Sequence, residues 1–289
     1  MTAAALPDRR PQRRARPGVG TVLAWELRKL RVQKRTYLGL GAAMLVPLIF
    51  IVALLVNPDN GGGDGDIPFE RYVRETGLAI PLVGLFFGAI WLFPLITALV
   101  AGDIVATEDH HGTLKTILTR SVERWQVFAA KTLAAMIYAL LALIVFVVTG
   151  LVVGGLIWGF DPLVSLSGTR VPVGHGLALL AGATLAYFIP MVAIASIALL
   201  LSTVTRNSAA AVVGTLLLSL VLQLIGVISA LRGLRPYLLS EQFNAWQGLL
   251  REPADWAPVL RAAWVSAVYA IPSSAAAFLA FLRRDVAGG

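Results

Sequence analysis

Residues 132–160 read TLAAMIYALLALIVFVVTGLVVGGLIWGF, a run of 29 residues without a single Lys, Arg, Asp, Glu or His. A helix needs about 20 apolar residues to cross the hydrocarbon core of a membrane. Five other stretches of the chain are equally free of these residues and are at least 21 residues long: 36–56, 76–102, 176–205, 207–231 and 262–282. The pattern predicts six transmembrane helices.

The composition supports this interpretation. Charged residues make up 14% of the 289 residues, against about 25% in soluble proteins, and the mean hydropathy is +0.78. A large soluble core buries one or two such segments, not six, and a cleavable signal peptide does not follow 35 mostly polar residues. We predict an all-α integral membrane protein, with spans near 37–56, 78–102, 132–158, 177–203, 209–230 and 262–281.

The segments around the transmembrane domain, residues 36–282, are polar and basic. Residues 1–20 are rich in Arg, Pro and Ala, which predicts a disordered tail, and residues 283–289 form a short second tail. Between Thr21 and Arg35, Leu23, Leu27 and Leu30 recur at helical spacing among basic residues. Residues 21–35 are therefore expected to form an amphipathic helix on the membrane surface that leads directly into the first span.

The distribution of Lys and Arg predicts the orientation. Seventeen lie in the termini and the loops on the amino-terminal side of the membrane, and seven lie in the loops on the other side. The positive-inside rule then places both termini in the cytoplasm, in a multi-pass protein of the cytoplasmic membrane. The net charge of +8 is concentrated beside the first span, which favours contact with anionic lipid over binding of nucleic acid.

Two local patterns predict packing. Four apolar residues between the fifth and sixth spans share one helical face: Leu239, Phe243, Trp246 and Leu250. This spacing indicates a short helix in the outer leaflet. The third span carries two small-xxx-small pairs that would allow a neighbouring helix to approach closely, or that reflect the general frequency of Gly in membrane helices. These residues are Gly150, Gly154, Gly155 and Gly159.

The sequence contains little that indicates an enzyme or a metal centre. It has no H-E-x-x-H, no G-x-S-x-G and no Cys. Metal-ligating groups cluster on five residues: Asp103, Glu108, Asp109, His110 and His111. Adjacent His residues on a helix point about 100° apart, so both would not normally join one site. We therefore expect a solvated polar surface here and predict no metal site. The predicted spans lack ionisable side chains, which disfavours an ion-coupled carrier.

The loop from Asp103 to Lys131 is the most informative segment outside the spans. Leu114, Ile117 and Leu118 are spaced as one face of a short helix, and Gly112 breaks the helix before it. An amphipathic element between the second and third spans is shaped to meet a cytoplasmic partner.

This loop resembles the signature of ABC-2 type exporter permeases. The resemblance rests on Glu108, Gly112, Thr113, Leu114, Ile117, Leu118, Thr119, Arg124 and Lys131. The six-span layout and the surface helix before the first span match as well. The sequence departs from the family pattern at His110, Ser121, Glu123 and Ala130.

The resemblance implies a permease subunit whose loop helix docks on a separate ATP-binding subunit, with two permease and two ATPase subunits in the transporter. ATP and Mg²⁺ would bind to the partner, and this chain would need no cofactor. The 289 residues contain no G-x-x-x-x-G-K-[ST] motif. The expected substrate is hydrophobic or amphipathic. Two alternatives remain: a membrane anchor for a cytoplasmic partner that transports nothing, and an ion-coupled carrier.

Overall fold

The computed structural model describes residues 18–56, 73–110 and 122–283. Within them, five helices and one bent helix pair are long and apolar enough to cross a membrane, so the chain is an all-α, multi-pass membrane protein. The helices are α1 (Val19–Leu30), α2 (Lys34–Val56), α3 (Ala79–Gly88), α4 (Leu92–Ala101), α5 (Ala106–His110), α6 (Arg124–Trp158), α7 (Val173–Thr205), α8 (Ser208–Val227), α9 (Leu239–Gln242) and α10 (Ala257–Leu282).

The amphipathic segment before the first span is shorter than the sequence predicted. Helix α1 ends at Leu30, and a turn at residues 31–33 separates it from α2. Val22, Glu26 and Leu30 form its buried face. Because the turn breaks the helix, α1 can lie against the bundle at an angle that a continuous helix would not allow.

The second predicted span is broken. Helices α3 and α4 meet at residues 89–91, and the chain bends there by 65°. Pro94 fits a helix that begins after the break, since it has no N–H to donate and lies in the first turn of α4, where backbone N–H groups have no partner within the helix. Phe93 occupies the inside of the bend, close to where a side chain at Gly88 would lie.

Helix α6 begins eight residues before the predicted third span. Its 35 residues span about 52 Å at 1.5 Å per residue, well beyond the hydrocarbon core. A capping box formed by Glu123 and Gln126 fixes its first turn.

An aromatic cluster holds the middle of the bundle together. The ring of Phe93 on α4 lies 5.2 Å from that of Phe146 on α6 and 5.1 Å from that of Tyr187 on α7. Tyr187 in turn lies 5.0 Å from Phe243, in the segment between α8 and α10. Edge-to-face contacts of this kind stabilise each pair beyond simple burial, so the cluster ties α4, α6 and α7 to the segment between α8 and α10.

One end of the bundle carries short, irregular elements, and we call it the hairpin end. Strands β1 (Leu163–Val164) and β2 (Arg170–Val171) pair in antiparallel fashion there, an addition to the predicted all-α fold. The predicted single helix at residues 239–250 is instead divided into α9 and a 3-10 helix at Ala245–Leu250, after another 3-10 helix at Ser229–Tyr237. Its predicted apolar residues are nevertheless all buried: Leu239, Phe243, Trp246 and Leu250.

The broken pair connects the hairpin end with the opposite end. Before α3, Gly77 N donates to Gly159 O over 3.0 Å, and Thr76 Oγ1 donates to Asp161 O over 2.9 Å, both at the hairpin end. After α4, Glu108 contacts Lys29 of α1. The chain between residues 76 and 108 therefore runs the length of the bundle despite its bend.

Candidate functional site

Four charged side chains form a closed ring at the end of the bundle opposite the hairpin. Lys29 Nζ lies 3.0 Å from Glu26 Oε1 and 2.7 Å from Glu108 Oε1. Lys131 Nζ lies 3.2 Å from Glu26 Oε2 and 2.7 Å from Glu108 Oε2. Each carboxylate thus bridges both ammonium groups. We call these four residues the charge ring; it joins α1, α5 and α6.

Lys131 is the most deeply buried member of the ring, with no exposed side-chain surface. Its ammonium group has three donors, and besides the two carboxylates it lies 3.0 Å from the carbonyl oxygen of Ile104. The ring as a whole is neutral, with two positive and two negative charges. A buried charge is tolerated in this way, because an ion without partners would cost several kcal/mol to remove from water.

Helix α1 brings Glu26 into the ring by its spacing. Val22, Glu26 and Leu30 lie at i, i+4 and i+8, and each is at most 6% exposed. The apolar neighbours press α1 onto the bundle and carry Glu26 with them. Sequence reasoning missed Glu26 and Lys29 because it followed only the leucine face. The available signal was that Glu26 is the sole acidic residue between Gly18 and Arg35.

The charge of Lys29 is stabilised by its position. Partial burial opposes the charged form, but the carboxylates of Glu108 and Glu26 outweigh that effect, so the pKa of Lys29 lies above its usual value. Its side chain keeps 41% of its surface exposed. Lys29 therefore closes the ring on its solvent side, while Lys131 closes it from inside.

A second polar cluster lies next to the ring, around the buried carboxylate of Asp103. Its Oδ1 atom accepts from Arg35, at the start of α2, from Thr107 and from Ser208, at the start of α8. Ser202 Oγ of α7 accepts from the backbone N–H of Ala106 over 3.0 Å. The turn between α4 and α5 is thus bonded to three neighbouring helices.

The predicted site residues of the loop are only partly within the described chain. Glu108 belongs to the charge ring, and Arg124 Nη1 donates to the carbonyl oxygen of Leu282 over 2.7 Å, at the end of α10. The remaining predicted residues lie outside the described residues: Gly112, Thr113, Leu114, Ile117, Leu118 and Thr119. Both flanks of the loop are therefore bonded to other helices.

The four glycines predicted to pack lie near the hairpin end of α6. A Cβ atom on Gly154 would lie 2.8 Å from Ile80 Cγ1, and one on Gly155 would lie 2.1 Å from the ring of Phe160. Gly150 packs on Ile80 and Pro81 at ordinary distances. Gly159 has φ +74°, a left-handed conformation that favours glycine, and ends α6.

Comparison with known proteins identifies the family of the chain. The model of a family described as "Protein of unknown function (DUF2705)" matches residues 43–287. The match includes Glu108 and Lys131 but not α1, which contributes the other two members of the charge ring. No curated protein matches the chain.

Proposed function

We propose that this chain, which belongs to the DUF2705 family, is the membrane-spanning permease subunit of an ATP-driven exporter of the ABC-2 type. The observation that carries the proposal is that the charge ring bonds the helices on either side of the loop at residues 111–123 to each other and to α1. Glu108 lies in α5, before this loop, and Lys131 lies near the start of α6, after it.

The geometry suits a loop that passes a movement to the spans. A push on the loop would reach α5 and α6 through Glu108 and Lys131, α1 through Glu26, and the end of α10 through Arg124. Transmission of this kind needs an element that stays rigid while the helices attached to it change their packing. Buried ion pairs supply that rigidity, because separating the two members of a pair leaves a buried charge without a partner.

The energy for transport would come from a separate subunit. The 289 residues carry no G-x-x-x-x-G-K-[ST] motif, so ATP and Mg²⁺ would bind to a cytoplasmic partner that docks on the loop. A second permease subunit, identical or homologous, would complete the pathway. The excess of Lys and Arg at the ring end supports a cytoplasmic location for that end and for both termini, with the protein in the cytoplasmic membrane. The spans are apolar, and we expect a hydrophobic or amphipathic substrate.

Substitutions on the apolar face of the loop test the proposal. Leu114→Asp should abolish the stimulation of the partner ATPase by the chain and substrate efflux, while the protein still inserts into the membrane, because the substitution removes only the docking surface. Thr116→Asp is the matched control: it places the same charge on the same loop, away from the apolar face that the spacing of Leu114, Ile117 and Leu118 predicts. The measurements are ATP hydrolysis by the co-expressed complex in proteoliposomes and efflux from cells.

Three results would contradict the proposal. ATP hydrolysis by the purified chain alone would place the energy source here. If a cytoplasmic partner co-purifies with the chain but efflux does not depend on the chain, the chain would instead be a membrane anchor. Efflux that collapses with an ionophore while the partner ATPase is inactive would favour an ion-coupled carrier.

A further inference from the structure

A polar cavity of about 210 Å³ opens at the hairpin end, far from the charge ring. Its lining includes Glu241, Asn244 and Gln247, together with Arg261 of α10. The cavity is smaller than the sites that enclose drug-sized ligands. It suits a single headgroup or a compact polar molecule.

The walls of the cavity are firmly held. Gln242 Nε2 donates to the carbonyl oxygens of Pro236 and Leu238 over 3.0 and 2.8 Å. Gly248 sits against the start of α10, where an added Cβ atom would lie 2.4 Å from Asp255 O. The polar side chains therefore project from a backbone that is fixed before any ligand binds, which lowers the entropy cost of binding.

Two opposite charges face this cavity without neutralising each other. Among the described residues, neither the carboxylate of Glu241 nor the guanidinium of Arg261 has an ion pair or a side-chain hydrogen bond. Arg251, at the rim, makes only a 3.9 Å contact with Asp255 Oδ2 and is 61% exposed. The site thus offers a separate anion-binding and cation-binding group.

The two groups specify the chemistry of a ligand. A guanidinium binds phosphate through paired N–H donors. A primary ammonium has three donors, which Glu241 and the side-chain oxygens of Asn244 and Gln247 can accept. A quaternary ammonium has no donor and would lose these hydrogen bonds. The cavity is therefore complementary to a phosphate joined to a primary amine.

The surroundings of Arg261 indicate that such a ligand is a lipid. Arg261, Trp264 and Val268 lie at i, i+3 and i+7 on α10, and the last two are 49% and 60% exposed. Trp264 and Val268 thus form an apolar stripe that runs from Arg261, at the cavity, towards the middle of the span. Trp264 packs on Tyr237, with ring centroids 5.8 Å apart, and Trp and Tyr side chains are enriched at the level of lipid headgroups.

We propose that the cavity binds the headgroup of a phospholipid of the phosphatidylethanolamine class, with its phosphate on Arg261, its ammonium on Glu241 and its acyl chains along Trp264 and Val268. Binding at this site is independent of the proposed export function, because it involves neither the loop nor an ATPase.

Lipid retention by the purified full-length chain tests the proposal. The protein in detergent is mixed with equal amounts of phosphatidylethanolamine, phosphatidylcholine and phosphatidylglycerol, and bound lipid is quantified by native mass spectrometry. We expect about tenfold more phosphatidylethanolamine to be retained than either of the other two lipids. This ratio corresponds to a difference of about 1.4 kcal/mol in binding free energy. Glycerophosphoethanolamine, the soluble headgroup, should displace it.

Matched variants separate the two charges. Glu241→Gln should remove the preference for phosphatidylethanolamine over phosphatidylcholine, and Arg261→Gln should weaken binding of both. Arg232→Gln is the control, since Arg232 is exposed at the same end but does not line the cavity. Unchanged melting temperatures establish that the variants fold. Equal retention of the three lipids by the wild type, or a preference that survives both substitutions, would overturn the proposal.

Discussion

At the scale of single residues, Lys131 is the position on which the charge ring depends most. It has no exposed side-chain surface, whereas Lys29 is 41% exposed. Lys131→Met leaves two buried carboxylates with one cation, and we expect a loss of about 3–5 kcal/mol in the free energy of unfolding. Lys29→Met also leaves the two carboxylates with one cation, but it should cost less than Lys131→Met, because Lys29 is partly exposed and water can take its place. Thermal unfolding in detergent measures both.

The same ring allows a test of charge balance. Adding Glu26→Gln to Lys131→Met restores neutrality, with Lys29 and Glu108 left as one pair, so the double variant should be more stable than Lys131→Met alone. A strictly additive loss would show that the two residues act independently. The sequence pointed to Glu108 and Lys131 through the loop resemblance. It did not reveal Glu26, because a lone acidic residue on a basic helix is equally compatible with the solvated face.

At the scale of elements, the contact between α6 and the segment that leads into α3 depends on paired glycines. A Cβ atom on Gly77 would lie 2.3 Å from the backbone nitrogen of Gly155, and backbone atoms cannot move aside as a flexible side chain can. We expect Gly77→Ala to destabilise the protein by about 1–3 kcal/mol. Gly174→Ala is the control, since no side chain and no other segment of the described chain lies within 4 Å of its added Cβ. A similar melting temperature for both variants would contradict this packing.

The helices also show which features of the fold the sequence patterns could predict. The stretches without ionisable residues located the candidate spans, since each passage through lipid demands an uninterrupted apolar run. The break at residues 89–91 was not predicted, because an apolar run looks alike whether it is straight or bent, and Pro94 is compatible with both. The division of residues 239–250 was missed for a related reason: the periodicity recorded which side chains are buried but not whether the backbone between them stays helical.

At the scale of the whole molecule, the contacts at the two ends of the bundle favour six crossings. The segment at residues 76–77 bonds to Gly159 and Asp161, and Glu108 bonds to Lys29 on α1. If the α3–α4 pair re-entered the same surface instead of crossing, Glu108 and Lys131 would stand on the opposite side of the membrane from α1. The charge ring could not then close.

Single cysteines test this arrangement, and the absence of natural Cys makes the labelling unambiguous. Arg31, Glu75 and Arg232 are exposed positions in the turn after α1, before α3 and after α8. With six crossings and cytoplasmic termini, a membrane-impermeant maleimide should label Glu75→Cys and Arg232→Cys in intact cells, and Arg31→Cys only after permeabilisation. Asp103→Cys is unsuitable because its side chain is buried, so Trp125→Cys, exposed near the start of α6, reports the far side of the broken pair. Its protection in intact cells would show that α3 and α4 together cross the membrane, whereas labelling equal to that of Glu75→Cys would make the pair re-entrant.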